Sequence, residues 1–270
     1  MPKEIKVLVC GAAGKMGKSV VKAVTAETGF KLVSAVDRRE NPDIGKDIGI
    51  ISGIDKVNVK LSGDLKEAIS KTSPDVMVDF TMPEIVFTNT EISLKSGVRA
   101  VVGTTGMSKE DINELAKIAK QNGIGAVVAP NFAIGAVLMM RFAKDASKYF
   151  DNAEIIEFHG HKKLDAPSGT AIKTAELMTE ARKEFGKDTI KGKETFPGAR
   201  GSKGPGNLHI HSVRLPSLVA HQEVILAGLG QTLTIRHDSF DRTSFMPGVL
   251  MAIKKVMQID HLIYGLENII

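Results

Sequence analysis

The chain of 270 residues contains no tryptophan, two tyrosines and one cysteine, and each shortage narrows what it can be. A single cysteine excludes an internal disulfide, and Cys10, set in an apolar run, reads as a small buried hydrophobe rather than a nucleophile. The net charge of +5 suits anionic ligands, but the basic residues are interspersed with acids and lack the aromatic partners of a nucleic-acid surface, so no nucleic-acid partner is expected. No apolar run approaches the ~18 residues that a membrane span needs. The opening MPKEIKVLVCG enters a strand pattern at once, without the charged, apolar and small-residue regions of a leader, and a cytoplasmic location is the expectation. A hydrophobic content of 43% is ample for a core, and the length suffices for two domains.

What is present begins with Lys6 to Cys10, a buried-strand pattern that runs into Gly11-Ala12-Ala13-Gly14-Lys15-Met16-Gly17 and then a helical spacing through Val20, Val21 and Val24. Strand, glycine turn and helix N-terminus together favour a pyrophosphate. Ala12 interrupts the usual GxGxxG spacing, giving GxxGxxG. The next strand, Lys31 to Val36, ends at Asp37, twenty residues after Gly17, where an acid that binds adenosine ribose hydroxyls belongs. Arg38 and Arg39 follow and suit a 2′-phosphate, so the acid argues for NADH, the arginines for NADPH, and dual use is expected.

Residues 40–56 lack periodicity and read as a loop. Val57 to Leu61 is a strand candidate, Asp64 caps a helix over 65–71, and Ser108 with Asp111 resembles a capping box. Strands at Asp75 to Phe80, Val98 to Val102 and Gly125 to Ala129 alternate with helices, which implies a parallel, Rossmann-like sheet with its ligand at the carboxyl ends of the strands. The loops holding Gly103, Thr104 and Thr105, and Ala129, Pro130, Asn131 and Phe132, are then suited to nicotinamide and ribose contacts.

After Phe132 the pattern changes to a smaller α+β domain. A helix over 136–150 leads into Glu154 to Ala171, EIIEFHGHKKLDAPSGTA. As an extended strand it would put Ile155, Glu157, His159, His161 and Lys163 on one face. His159 and Lys163 would then lie roughly 13 Å apart, too far to serve one reacting carbon, so the chain must bend or their roles are separate; Gly160 is the place for a bend. Asp165 to Thr170 reads as a turn opening a second helix, with Pro167 near its first position and free N–H groups at Ser168, Gly169 and Thr170 to hold an anion. The connector 186–207, rich in glycine and lysine, is read as a mobile lid in preference to a partly disordered loop. Strand patterns over 208–214, 218–227 and 231–237 should join the strand near Ile155 in an antiparallel or mixed sheet. An apolar helix over 247–257 and a short tail end the chain.

A nicotinamide domain followed by such a unit predicts hydride transfer in a cleft between them. The accompanying proton needs an imidazole or a positioned ammonium, which His159 and Lys163 supply. His159-x-His161 and His209-x-His211 also offer four imidazoles to zinc, but no carboxylate or thiolate completes a usual spacing and Lys163 would repel a cation. No metal is expected.

The combination of Glu154, Glu157, His159, Lys163, Asp165, Pro167, Ser168, Gly169, Thr170 and Ala171 resembles the signature of the 4-hydroxy-tetrahydrodipicolinate (dihydrodipicolinate) reductases of the diaminopimelate route to lysine. Supporting matches are the glycine turn, Gly103 to Thr105, Asn131-Phe132, Arg214, His221, His237, Arg242 and Phe245. The resemblance implies His159 as proton donor or acceptor, Lys163 as proton donor, and Gly169 with Thr170 as cradle for a carboxylate of a dicarboxylate substrate. It implies a homotetramer built on the second domain, residues 132–241, and a first domain of residues 1–131 completed by a terminal helix within 242–270. Two positions depart from the family: Gly160 stands where a second histidine is usual, and Gln231 where Glu is common. Alternatives left open are another amino-acid-pathway dehydrogenase of this architecture and a nucleotide-sensing regulator without catalysis.

Overall fold

A computed structural model describes residues 4–186 and 193–270, and its contacts divide the chain into one unit of Met1–Phe132 with Phe245–Ile270 and a second of Ala133–Ser244. The first part of the expected lid, 187–192, lies outside the described residues.

The first unit alternates strand and helix: β1 (Ile5–Cys10), α1 (Lys15–Ala26), β2 (Phe30–Val36), α2 (Ile48–Ser52), β3 (Leu61–Ser62), α3 (Leu65–Thr72), β4 (Val76–Asp79), α4 (Pro83–Lys95), β5 (Arg99–Val102), α5 (Lys109–Asn122) and β6 (Ala126–Val128). The strands are short apolar runs because both faces are covered; Val7, Leu8, Val76, Met77 and Val101 are fully buried. Helix starts follow local chemistry. Asp64 accepts the Glu67 N–H to open α3, and Ser108 and Asp111 form a reciprocal capping box on α5.

The second unit contains α6 (Ile134–Ala146), β7 (Asn152–Gly160), α7 (Gly169–Ala181), β8 (Ser202–Lys203), β9 (His209–Leu215), β10 (Ala220–Gly228) and β11 (Gln231–Ser239). Its sheet runs β11-β10-β7-β9-β8. It is mixed rather than wholly antiparallel, because β9 lies parallel to β7 and a parallel neighbour needs a long crossover, here the one that carries α7. Alternate residues of β7 and β10, Ile155, Val224 and Leu226, pack with Ala143 of α6 and Ala175 and Met178 of α7 in one core.

The chain then returns to the first unit as α8 (Met246–Val256) and β12 (Leu262–Tyr264), which extends the sheet beside β6. The complete order is β12-β6-β5-β4-β1-β2-β3, parallel throughout. The chain passes from β1 to β2 and β3 on one side and then crosses from β3 to β4 on the other side of β1, so a crevice opens at the carboxyl ends of β1 and β4.

Three expectations are corrected. Residues 40–56 are not all loop: Asp47 accepts the N–H groups of Gly49 and Ile50 and starts α2, a helix of 5 residues that is too short to show periodicity. The third strand is confined to Leu61–Ser62 rather than Val57–Leu61. The C-terminal tail holds β12, whose length of 3 residues carries no pattern of its own.

Candidate active site

The glycine turn is shaped by packing on both sides. Gly11 has φ +72°, and a Cβ there would stand 2.3 Å from the carbonyl oxygen of Phe80; at Gly17 it would stand 2.0 Å from the carbonyl oxygen of Gly11. Only glycine lets β1, the turn and α1 approach this closely. Ala12 is fully buried behind the turn. The carboxylate of Asp37 reaches across from the end of β2 and accepts the N–H of Ala13 at 3.0 Å and of Arg38 at 3.0 Å. Helix α1 has no side-chain cap and no acid in its first turn, so its N-terminal field is left for an anion.

Gly11, Ala13, Gly14, Asp37 and Arg38 line a cavity of about 550 Å³ at the crevice, with Asn41, Phe80, Thr81, Met82 and Asn89 opposite. A narrow glycine floor, an unopposed helix terminus, an acid at the second strand and a solvent-exposed guanidinium at Arg38 fit the adenosine diphosphate half of a dinucleotide. Arg39 is not equally available for a 2′-phosphate, since it pairs with Asp64. Lys15 and Met16 follow the turn as the first residues of α1.

Gly103, Thr104, Thr105, Ala129, Pro130, Asn131 and Phe132 lie at or beyond the ends of β5 and β6 and do not line this cavity. Thr104 among them is held by Asp79, a residue whose role the sequence left unread. Its fully buried carboxylate accepts the Thr81 N–H and hydroxyl, the Asn89 amide at 2.9 Å and the Thr104 hydroxyl at 2.8 Å. Burial raises its pKa against the pull of those hydrogen bonds. Phe80 packs against Phe132 with its ring tilted by 58° and 5.9 Å between ring centres. The single thiol, Cys10, is buried and its pKa is raised well above the usual range, by burial first and then by Asp79 and Asp37, which leaves no nucleophile there.

In the second unit β7 ends at Gly160, and Lys163 N–H donates to the Gly160 carbonyl at 3.0 Å, closing a turn. The strand therefore stops short of His161 and Lys163, and of the five residues expected on one face Ile155, Glu157 and His159 share it, together with Ala153. Gly160 is not forced by backbone conformation, since its φ is outside the left-handed region; a Cβ there would meet the Leu218 carbonyl at 3.0 Å.

Glu157 is the centre of this site. Its side chain is 0% exposed. One oxygen stands 2.5 Å from His159 Nδ1 and 2.8 Å from an Arg214 amino group; the other accepts the second Arg214 amino group at 2.7 Å and the Ser168 N–H at 3.2 Å. Arg214 is the register partner of His159 on β9 and also donates to the Asp165 carbonyl at 2.7 Å. The Asp165 carboxylate in turn holds Lys163 Nζ at 2.8 and 2.9 Å. Burial alone would raise the Glu157 pKa, but hydrogen bonds from His159, Arg214 and Ser212 outweigh it and hold it at about 2. One chain of contacts thus links His159 to Lys163.

Ser168 corrects an expectation. Its N–H, expected to be free, is taken by Glu157, and its hydroxyl oxygen accepts the Ala171 N–H at 3.2 Å to cap α7, so it fixes the helix entry and its backbone donor is engaged. Pro167 precedes that cap, after a cis bond with Ala166. Gly169 is exposed with open space about its α-carbon, and Thr170 is half-buried. His209 and His211 are engaged elsewhere, with the Arg200 carbonyl and the Glu154 carboxylate.

A parallel sheet with a dinucleotide crevice, joined in sequence to a unit carrying a buried carboxylate–imidazole pair, defines a nicotinamide-dependent oxidoreductase. Models of the dihydrodipicolinate reductase N-terminus and C-terminus match residues 5–132 and 135–270, and the chain belongs to that family, which uses NADH or NADPH. It is 52% identical to the 4-hydroxy-tetrahydrodipicolinate reductase of Bacillus licheniformis over 98% of both chains, and 51% identical to that of Listeria monocytogenes over 98% of this chain and 100% of the other. A dipicolinate-bound dihydrodipicolinate reductase from Paenisporosarcina sp. TG-14 superposes with a TM-score of 0.88 at 44% identity, covering 99% of this chain and 100% of the other. An amine dehydrogenase from Mycobacterium smegmatis, 16% identical with a TM-score of 0.67 over 98% of this chain and 96% of the other, shares the fold.

Proposed function

We propose that the chain reduces 4-hydroxy-tetrahydrodipicolinate to tetrahydrodipicolinate with NADH or NADPH, as a step of the diaminopimelate route to lysine. The observation that carries this reading is the run of hydrogen bonds from His159 through Glu157 and Arg214 to the backbone carbonyl of Asp165, whose carboxylate holds Lys163, set beside the N-terminus of α7 in a chain of this family. The overall change replaces a C–OH bond by C–H: one hydride and one proton are taken up and one water leaves. The dinucleotide supplies the hydride when bound.

The chain's residues supply the rest. Gly11, Ala13 and Gly14 seat the pyrophosphate at α1, Asp37 takes ribose hydroxyls and Arg38 a 2′-phosphate. Gly169 and Thr170 at the start of α7 hold a substrate carboxylate, which the helix field favours; the relative that carries dipicolinate supports a dicarboxylate here. Lys163 swings from Asp165 to the substrate and gives up the proton, and His159 exchanges protons from its outer nitrogen. Residues 1–131 with the C-terminal segment serve the dinucleotide. Residues 132–241 serve the substrate and the association of four copies in the cytoplasm.

A steady-state assay with the aldolase product and either nicotinamide dinucleotide tests the proposal. Oxidation of the dinucleotide with formation of tetrahydrodipicolinate is expected. Dinucleotide binding without oxidation would overturn it.

A further inference from the structure

We propose that Glu157 is a positioning residue that holds neutral His159 as its Nδ1–H tautomer, so that Nε2 is the nitrogen which meets the substrate. Three N–H groups point at this carboxylate, one from Ser168 and two from Arg214, and the Ser212 hydroxyl and the Nδ1 atom of His159 also face it. The Arg214 guanidinium, a permanent cation, binds both oxygens and favours the ionised acid. Glu157 is therefore the anion, and an anion at 2.5 Å from Nδ1 calls for the proton to be on that nitrogen. The carboxylate is fully buried, so no water competes for the bond. Its depressed pKa, about 2, is in accord.

The other ring nitrogen, Nε2, makes no hydrogen bond among the described residues, and the ring is 15% exposed. The same carboxylate fixes two further parts of the site. Through Ser168 it sets the entry of α7, and through Arg214 it reaches the Asp165 carbonyl, next to the carboxylate that holds Lys163. One ionised group therefore sets the imidazole, the anion-binding helix and the lysine loop in a common frame, as a neutral residue of the same size could not.

The catalytic consequence rests on the reductase reading, but the tautomer does not, and the two are tested separately. Nitrogen-15 NMR of histidine-labelled protein, with His159→Asn to assign the signal and the pH raised until the ring is neutral, should give an Nδ1–H pattern for His159. Glu157→Gln should lose that pattern, lower kcat by about tenfold or more, and leave the KM for NADH within about twofold, since the dinucleotide crevice belongs to the other unit. A purely structural role would not move the tautomer. An Nε2–H pattern in the wild-type protein overturns the proposal even if Glu157→Gln fails to fold, as does unchanged kcat in a folded Glu157→Gln. An Nδ1–H pattern in a protein without reductase activity would uphold the tautomer and overturn the function.

Discussion

The Asp37 carboxylate and the Ala13 N–H lie 3.0 Å apart across 24 residues of sequence, so the acid expected to bind ribose also braces the glycine turn expected to receive the pyrophosphate. Asp37→Ala removes both. It should weaken NADH by about tenfold to a hundredfold, as loss of a hydrogen bond to a charged group costs about 1.5–3 kcal/mol, and should weaken NADPH less, because Arg38 still meets the 2′-phosphate. Asp37→Asn keeps an oxygen for Ala13 and should fall between wild type and Asp37→Ala in titration calorimetry. Equal losses for the two dinucleotides would mean that Asp37 does not read the ribose.

Lys163 is held by both oxygens of Asp165, a partner only two residues away and well exposed. The pair holds the ammonium near the turn without burying it. Lys163→Ala should lower kcat by on the order of a hundredfold, the usual worth of a general acid, with NADH binding unchanged. Stopped-flow turnover near the wild-type rate would remove Lys163 from the chemistry.

Which features could be read in the sequence follows from how local their causes are. The capping box of Ser108 and Asp111, the cap at Asp64 and the glycine turn are written within a few residues, and all three are formed. The stretch of the candidate site could be picked out through His159, Lys163 and the turn before α7. The partners that hold it were not, since Glu157 meets Arg214 across 57 positions, a distance set by the parallel placement of β9. Ser168 was misread for the same reason: a helix N-terminus advertises its donors, and nothing nearby says that Glu157 takes one. Asp79 resembled the end of an ordinary strand until Thr104, from the next loop, reached it.

Gly103 gives a purely steric prediction. A Cβ there would lie 2.1 and 2.4 Å from two ring carbons of Phe80, and the ring is pinned against Phe132. Gly103→Ala should destabilise the protein by about 1–3 kcal/mol, the usual cost of overpacking. Phe80→Leu in the same chain should recover part of the loss. A urea midpoint for Gly103→Ala equal to wild type would show that the loop after β5 gives way freely.

Acid should weaken the Glu157 cluster. The carboxyl has an ordinary value of 4.5 and is held at about 2 in the folded chain, so the unfolded chain binds a proton more readily. The stabilisation is therefore fully present above pH ~4.5 and is lost as pH falls through that value toward ~2. At ~1.4 kcal/mol per tenfold change in proton affinity, the full effect is on the order of 3 kcal/mol. Glu157→Gln has no carboxyl to protonate, so its urea midpoint should fall less steeply than that of wild type between pH 5 and 3, although it is the less stable protein at pH 7. Parallel pH profiles for the two proteins would mean that the Arg214 and His159 contacts persist when Glu157 is protonated, and that the charge on Glu157 contributes little to the fold.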